Sequence, residues 1–147
     1  MLVAVACVGL WQFGLAGPSL SHGPVLSVSG AYLDDDRPPT MTIDVEIHNE
    51  GSRAETVEAV GRSAPGMHLE KVGFEPGFPT KLAPGKRLLV ELRYAITDCA
   101  LAAREALAVP VRVRRWMGAV TVDARDDSHE SGAWQNHPIS TTCDEQL

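Results

Sequence analysis

Histidine and methionine are the side chains of this sequence whose chemistry suits a transition metal, and the chain has five histidines. No pair of these histidines has the spacing that would place both rings on one face of a strand or helix. Met67 and His68 are adjacent and offer a thioether and an imidazole, ligands that suit Cu(I). Neighbouring residues of a strand point to opposite faces, so this pair would not converge. We therefore predict no bound metal and no other cofactor, with Met67 and His68 as the alternative copper ligands.

Carboxylates and nucleophiles are present without the patterns that catalysis or calcium binding requires. The acidic stretches at 34–36 and 123–127 do not have the spacing of the EF-hand or repeat-type Ca²⁺ loops. No serine lies in a Gly-x-Ser-x-Gly sequence. Cys99, next to Asp98, is better explained as half of a disulfide than as a nucleophile. We predict no catalytic residues and no enzymatic activity.

The polar part of the chain contains two cysteines, Cys99 and Cys143, which form an even pair. Distant cysteines of a small exported domain usually pair, and closing a loop of this length would stabilise the fold by about 3–4 kcal/mol. The alternative is a pair of free buried thiols in a cytosolic protein. The third cysteine, Cys7, is best explained as a small apolar residue. We predict a disulfide between Cys99 and Cys143.

Residues 1–17 are apolar and contain no charged side chain. This stretch is shorter than a complete membrane span, which needs about 20 apolar residues, and it has no basic start. We interpret 1–17 as a signal or anchor segment and 18–24 as a linker, which predicts a single-pass membrane protein with an extracytoplasmic domain, or a secreted one. The alternative is that the segment forms a buried strand or helix. A net charge of −6 argues against nucleic acid as a partner.

From Val25 onward, apolar and polar residues alternate with a period of two, which is typical of half-buried strands. The clearest example is Met41 to His48, where every second residue is apolar. One helix is predicted from Cys99 to Leu107, with Thr97 or Asp98 as its N-cap. Six further strands separated by Gly- and Pro-containing turns are predicted at 25–33, 56–60, 68–74, 88–96, 109–114 and 120–122.

This layout predicts an all-β fold: an immunoglobulin-like antiparallel β-sandwich of about seven strands with one short helix, preceded by the apolar N-terminal segment. We assign residues 25–147 to the sandwich and to a polar C-terminal tail. A barrel with the same number of strands is the alternative.

Three arginines and a tryptophan lie together in the strand after the helix: Arg112, Arg114, Arg115 and Trp116. We expect them to form a basic edge that meets an acidic partner or anionic lipid, with Trp116 suited to an interface. The alternative is an outward strand face whose charges discourage aggregation at a sheet edge.

Two stretches resemble the strand and turn motifs of bacterial CARDB-like surface modules with an immunoglobulin-like fold. They are the strand and Asn-x-Gly turn of 43–52 and the Leu-Ala-Pro-Gly turn of 82–85. The layout, with 97–100 and 109–116, also resembles uncharacterised membrane-anchored secreted proteins of high-GC actinobacteria. The resemblance implies adhesion or scaffolding and brings no catalytic residues.

A weaker resemblance is to periplasmic copper chaperones with a cupredoxin-like sandwich, which have a Met and His ligand set. Met67 and His68 match part of that set, and Thr97-Asp98-Cys99 stands where the family has a His-x-Met. From the whole sequence we expect a non-enzymatic, exported, immunoglobulin-like module, anchored at the membrane by its N-terminal segment, that binds or braces an envelope protein or surface component. Copper handling is the alternative function.

Overall fold

The computed structural model describes residues 17–23, 26–27, 38–104, 108–127, 139 and 142–143. Within these residues the chain forms nine strands and one four-residue helix, α1, at Cys99–Ala102. The strands are β1 (Leu20–His22), β2 (Leu26–Ser27), β3 (Thr40–Asn49), β4 (Glu55–Val60), β5 (Met67–Gly73), β6 (Thr80–Leu82), β7 (Arg87–Ile96), β8 (Val109–Arg115) and β9 (Gly118–Asp126).

The strands pair in the order β5-β7-β3-β1-β9-β8-β4-β6, and β2 adds a second short partner to β3. We call β5, β7, β3, β2 and β1 the first half and β9, β8, β4 and β6 the second half. Buried apolar residues from both halves form one hydrophobic core. The prediction of an all-β sandwich with one short helix is therefore confirmed, and the immunoglobulin-like subtype stays a prediction.

One strand pair departs from the predicted antiparallel pattern. β1 and β9 run parallel, with Ser21 opposite Arg125 and His22 opposite Asp126. The other described strand pairs are antiparallel. The parallel pair joins the first half to the second, because β1 also pairs with β3 in the first half.

β3 and β7 supply the centre of the core, as their alternating sequences predict. Their nine-residue register runs from Thr40 opposite Ala95 to His48 opposite Arg87. In β3 every second side chain is fully buried, from Met41 to Ile47. Tyr94 in β7 is also enclosed, and this burial raises the pKa of its phenol to about 12.

Leu20–His22 forms a buried strand within the range 18–24 that we predicted to be a linker. Leu20 packs into the core, and the strand fills the gap between β3 and β9. Three residues are too few to show a periodic pattern, which explains why the sequence did not indicate this strand. Residues 1–16 of the predicted anchor lie outside the described residues. So do 25 and 28–33 of the strand predicted at 25–33.

Helix α1 begins after Asp98, whose side chain accepts a 2.8 Å hydrogen bond from the backbone N–H of Leu101. This is the predicted N-cap. The helix ends at Ala102, five residues before the predicted end, and 105–107 lie outside the described residues.

The disulfide between Cys99 and Cys143 is present, with the two Cα atoms 6.2 Å apart. It joins the first residue of α1 to the C-terminal part of the chain across 44 positions of sequence. Ile139 lies nearby in sequence and is buried in the core. The C-terminal part is therefore held by an apolar contact as well as by the covalent bond.

Removing the disulfide is expected to lower the free energy of unfolding by about 4 kcal/mol, because it frees a long loop in the unfolded chain. The test is urea denaturation of Cys99→Ala/Cys143→Ala in a Cys7→Ala background, which prevents exchange with the third thiol. The matched control is Cys7→Ala alone, unfolded with and without reductant. Equal midpoints for the oxidised and reduced control would contradict this prediction.

Candidate interaction surface

The β8–β9 hairpin carries the residues that sequence analysis assigned to an interaction surface. Its register runs without interruption from Val109 opposite Ala124 to Arg115 opposite Gly118. Trp116 and Met117 form the two-residue turn, and Gly118 follows at φ +119°, a backbone conformation that favours glycine. Trp116 is 72% exposed and Met117 is 75% exposed. The hairpin therefore presents two large apolar side chains to solvent at its tip.

The hairpin is held in place by the buried side chains of β8. Val109, Val111 and Val113 are buried in the core on the inward side of β8. β8 also lies between β9 and β4, so it is an interior strand and not the sheet edge that the alternative interpretation of its arginines assumes. The turn is consequently carried by a strand with partners on both sides, and its position is fixed by the sandwich.

Arg112 and Arg114 point outward from β8, as predicted, and share one carboxylate. Arg112 Nε lies 3.2 Å from Glu58 Oε2, and Arg114 Nε lies 2.6 Å from Glu58 Oε1. The hydrogen bond from Arg114 is the main cause that lowers the pKa of Glu58. Two guanidinium groups against one carboxylate leave this part of the outer face with a positive charge.

Arg115 does not belong to that outward row. Its side chain is 19% exposed, and its Nη2 lies 3.3 Å from Oε1 of Glu55, at the start of β4. Desolvation raises the pKa of Glu55, and the nearby charges of Arg115 and Arg53 oppose that rise. The side chains of β8 alternate, so Arg115 lies on the inward side at the end of the strand. The predicted basic edge is thus a pair of outward arginines and one half-buried arginine.

Met117 is the surface residue that our sequence analysis missed. An apolar pair followed by glycine, between two alternating strands, was a usable signal for an exposed hairpin turn.

The buried side chain of Asn49 connects two loops near the hairpin by hydrogen bonds. Its side-chain Nδ2 donates to the carbonyl oxygens of Arg53 at 2.7 Å and Leu82 at 3.0 Å, and its Oδ1 accepts from the N–H of Gly51. Its backbone carbonyl accepts from the N–H of Gly85. Asn49 is fully buried. One side chain therefore fixes the β3–β4 loop to the end of β6, next to the β6–β7 loop.

The alternative copper ligands do not converge. Met67 is 3% exposed and packs in the core, whereas His68 is exposed and its Nδ1 lies 3.1 Å from Ser63 Oγ. Among the described residues, no three His, Cys, Asp or Glu side chains are grouped as a metal site would need. His129 and His137 lie outside the described residues, as do Asp34 to Asp36.

An ion-pair network lies beside the parallel β1–β9 junction. Arg125 bonds to Glu50 Oε2 at 2.8 Å and to Asp127 Oδ1 at 3.0 Å, and the Ser21 hydroxyl donates to Glu50. The backbone N–H of Asp127 donates to the carbonyl of His22. Hydrogen bonds from Arg125 and then Ser21 lower the pKa of Asp127 to about 2. This network ties β1, β9 and the β3–β4 loop together.

No protein-family model matches the chain, and no curated protein matches it. The solved structures to which the chain is similar include two PCuAC domains. One is described as an apo PmoF2 PCuAC domain, with a TM-score of 0.38, 16% identity, and coverage of 79% of this chain and 95% of that chain. The other is described as an apo PCuAC domain from PmoF1, with a TM-score of 0.37, 14% identity, and coverage of 75% and 94%. At these scores the comparison supports neither a family nor a function.

The described part of the chain contains no helix with the length and apolar character of a membrane span.

The ion pair of Asp127 should make stability depend on pH in the acid range. Its folded-state pKa of about 2 lies below the ordinary value of 3.8. The stabilisation is therefore complete above about pH 4 and is lost as the pH falls towards 2. Asp127→Asn is expected to reduce the loss of stability between these pH values, measured as the urea midpoint.

Arg125→Gln is the matched control, because it removes the main cause of the lowered pKa of Asp127 and leaves the Asp127 carboxylate in place. It should reduce the same acid-range loss, and the double variant should add little to either single change. If the urea midpoint of both single variants depended on pH as it does in the wild type, the Arg125–Asp127 pair would not stabilise the β1–β9 junction.

Proposed function

We propose that this protein is a non-enzymatic binding module that engages an envelope component through the tip of the β8–β9 hairpin. The observation that carries the proposal is the adjacent exposure of Trp116 and Met117 at 72% and 75%. Large aromatic side chains and methionine are enriched in interface cores, and tryptophan dominates binding energy when a partner covers it. Most other large apolar side chains of the described chain lie in the core, so this pair stands out.

The rigidity of the hairpin supports the same function. Its strands pair over the full register, and Glu58 links it to β4 through Arg112 and Arg114. A contact surface whose backbone is already ordered loses little conformational entropy on binding. The hairpin therefore has the properties of a preformed binding surface rather than of a flexible loop.

The disulfide supports an exported module. Disulfides persist in oxidising compartments and are rare in the reducing cytosol. With Cys99 bonded to Cys143, this sulfur is also not a free nucleophile. We propose that the uncharged 1–17 segment directs the domain to the membrane or across it, and that the domain acts outside the cytoplasm without catalysis.

Copper handling is not favoured by the positions of Met67 and His68, and this can be tested directly. Cu(I) titration against a chromophoric competitor is expected to give the same stoichiometry for the wild type and His68→Ala, because the two side chains lie on opposite faces of β5. Met67→Leu is the matched core variant, since it nearly conserves volume. A submicromolar stoichiometric site that is lost in both variants would contradict the binding-module proposal.

The binding function is tested by photo-crosslinking in cell envelopes. A benzophenone amino acid at position 116 or 117 is expected to give a discrete adduct with an envelope component. The same group at Leu89, which is 57% exposed on β7 of the first half, should not. In a binding assay with the captured component, Trp116→Ala should weaken affinity by about 30-fold or more, as for a hot-spot tryptophan.

Leu89→Ala is the control for that assay and should leave affinity unchanged. The proposal would be overturned if position 89 gave the same adducts as position 116, or if Trp116→Ala bound as tightly as the wild type.

A further inference from the structure

The parallel pairing of β1 and β9 determines the direction from which residues 17–19 approach the sandwich. β9 begins at Gly118, directly after the Trp116–Met117 turn. Parallel neighbours begin at the same end of a sheet, so the chain that precedes Leu20 runs back towards the hairpin turn. Ser19 lies on this path, and its carbonyl accepts a 3.0 Å hydrogen bond from the N–H of Glu50. Ser21 is opposite Arg125, seven positions along β9 from Gly118, so residues 17–19, which follow the uncharged residues 1–16, approach that position from the direction of the turn.

Two loops lie at the same end. The β3–β4 loop, 50–54, begins beside β1, because Leu20 is opposite Asn49, and ends beside the hairpin, because Thr56 is opposite Arg114. The β6–β7 loop, 83–86, follows Leu82, which is opposite Glu55. We call the surface formed by 17–19, 50–54, 83–86 and 115–118 the tip end.

The tip end is cationic on a chain whose net charge is −6. Arg53 and Lys86 are exposed in its two loops. Just before the tip end, Arg114 shares the carboxylate of Glu58 with Arg112, so one positive charge of that pair is not neutralised by Glu58. Its acidic residues are engaged: Glu50 bonds to Arg125, and Glu55 bonds to Arg115. The loops that carry Arg53 and Lys86 are also held together by Asn49.

We propose that the tip end rests on an anionic lipid bilayer, with Trp116 and Met117 inserted at its interface. This inference rests on the proposed function and names the envelope component. Tryptophan prefers the membrane–water interface, methionine is a flexible apolar side chain, and basic residues near the surface are attracted to anionic headgroups. A bilayer is favoured over a protein partner because the uncharged apolar segment 1–16 precedes residues 17–19, which approach β1 from the direction of the apolar turn and contact the loop 50–54.

The insertion of Trp116 is measured by fluorescence quenching in vesicles. The full chain carries Trp11→Phe and Trp134→Phe, so that Trp116 is the single fluorophore. Vesicles of phosphatidylcholine, with or without phosphatidylglycerol, contain lipids brominated on the acyl chain. Strong quenching of Trp116, greater with phosphatidylglycerol, is the expected result.

The matched probe is Leu101→Trp combined with Trp116→Phe in the same background. Leu101 is exposed on α1, which follows the far end of β7, so this tryptophan lies away from the tip end. It should be quenched much less than Trp116. Equal quenching at positions 116 and 101 would overturn the proposed orientation.

The role of the basic loops is tested with Arg53→Gln and Lys86→Gln. Each is expected to weaken the association of the tip end with phosphatidylglycerol vesicles by about five-fold, measured from Trp116 quenching at increasing lipid concentration. Arg104→Gln, an exposed arginine just after α1, is the control and should have no effect. Equal effects of all three variants would overturn the claim that the tip end faces the lipid.

The two proposals fail in different ways. A protein adduct from position 116 in envelopes, together with no quenching of Trp116 in vesicles, would overturn the bilayer contact and leave the binding module in place. Neither an adduct nor quenching would overturn both.

Discussion

In the described part of the chain, the two halves of the sheet are joined through the parallel pairing of β1 with β9. This junction involves a strand of three residues, all of them buried. It is reinforced outside the core by Arg125, which bonds to Glu50 and Asp127. The shared core requires the two halves to face each other, and this junction is where their relative position is fixed. The direction of residues 17–19 and the position of the hairpin turn both depend on it.

The period-two pattern predicted the strands that matter most for the core. In β3 and β7 the alternation is long, and burial of one face leaves a single register that the hydrophobic pattern allows. The disulfide and the Asp98 N-cap were also predictable, because each depends on residue types whose chemistry is specific. These are local or covalent features, and the sequence carries them directly.

The parts that the sequence did not indicate depend on distant partners. β1 and β6 are three residues each, too short for periodicity, and they exist because β3, β9 and β4 offer unpaired edges. The inward position of Arg115 depends on Glu55, which is 60 positions away in sequence. The role of Asn49 likewise becomes visible only when the loops at 50–54 and 83–86 are side by side. For the binding surface, sequence analysis found the arginines and Trp116 but assigned no role to Met117.

The two ends of the sandwich differ in how they are stabilised. The tip end is held by hydrogen bonds and ion pairs around Asn49 and Glu55, whereas the far end carries α1 and the disulfide to Cys143. The ten residues of β7 separate the two ends by roughly 33 Å. A reductant that opened the disulfide would therefore remove the covalent attachment of the C-terminal part, leaving the buried Ile139 as its contact with the core, without touching the residues around the turn. Reduction would thus weaken one end of the domain and leave the contact surface at the other end unchanged.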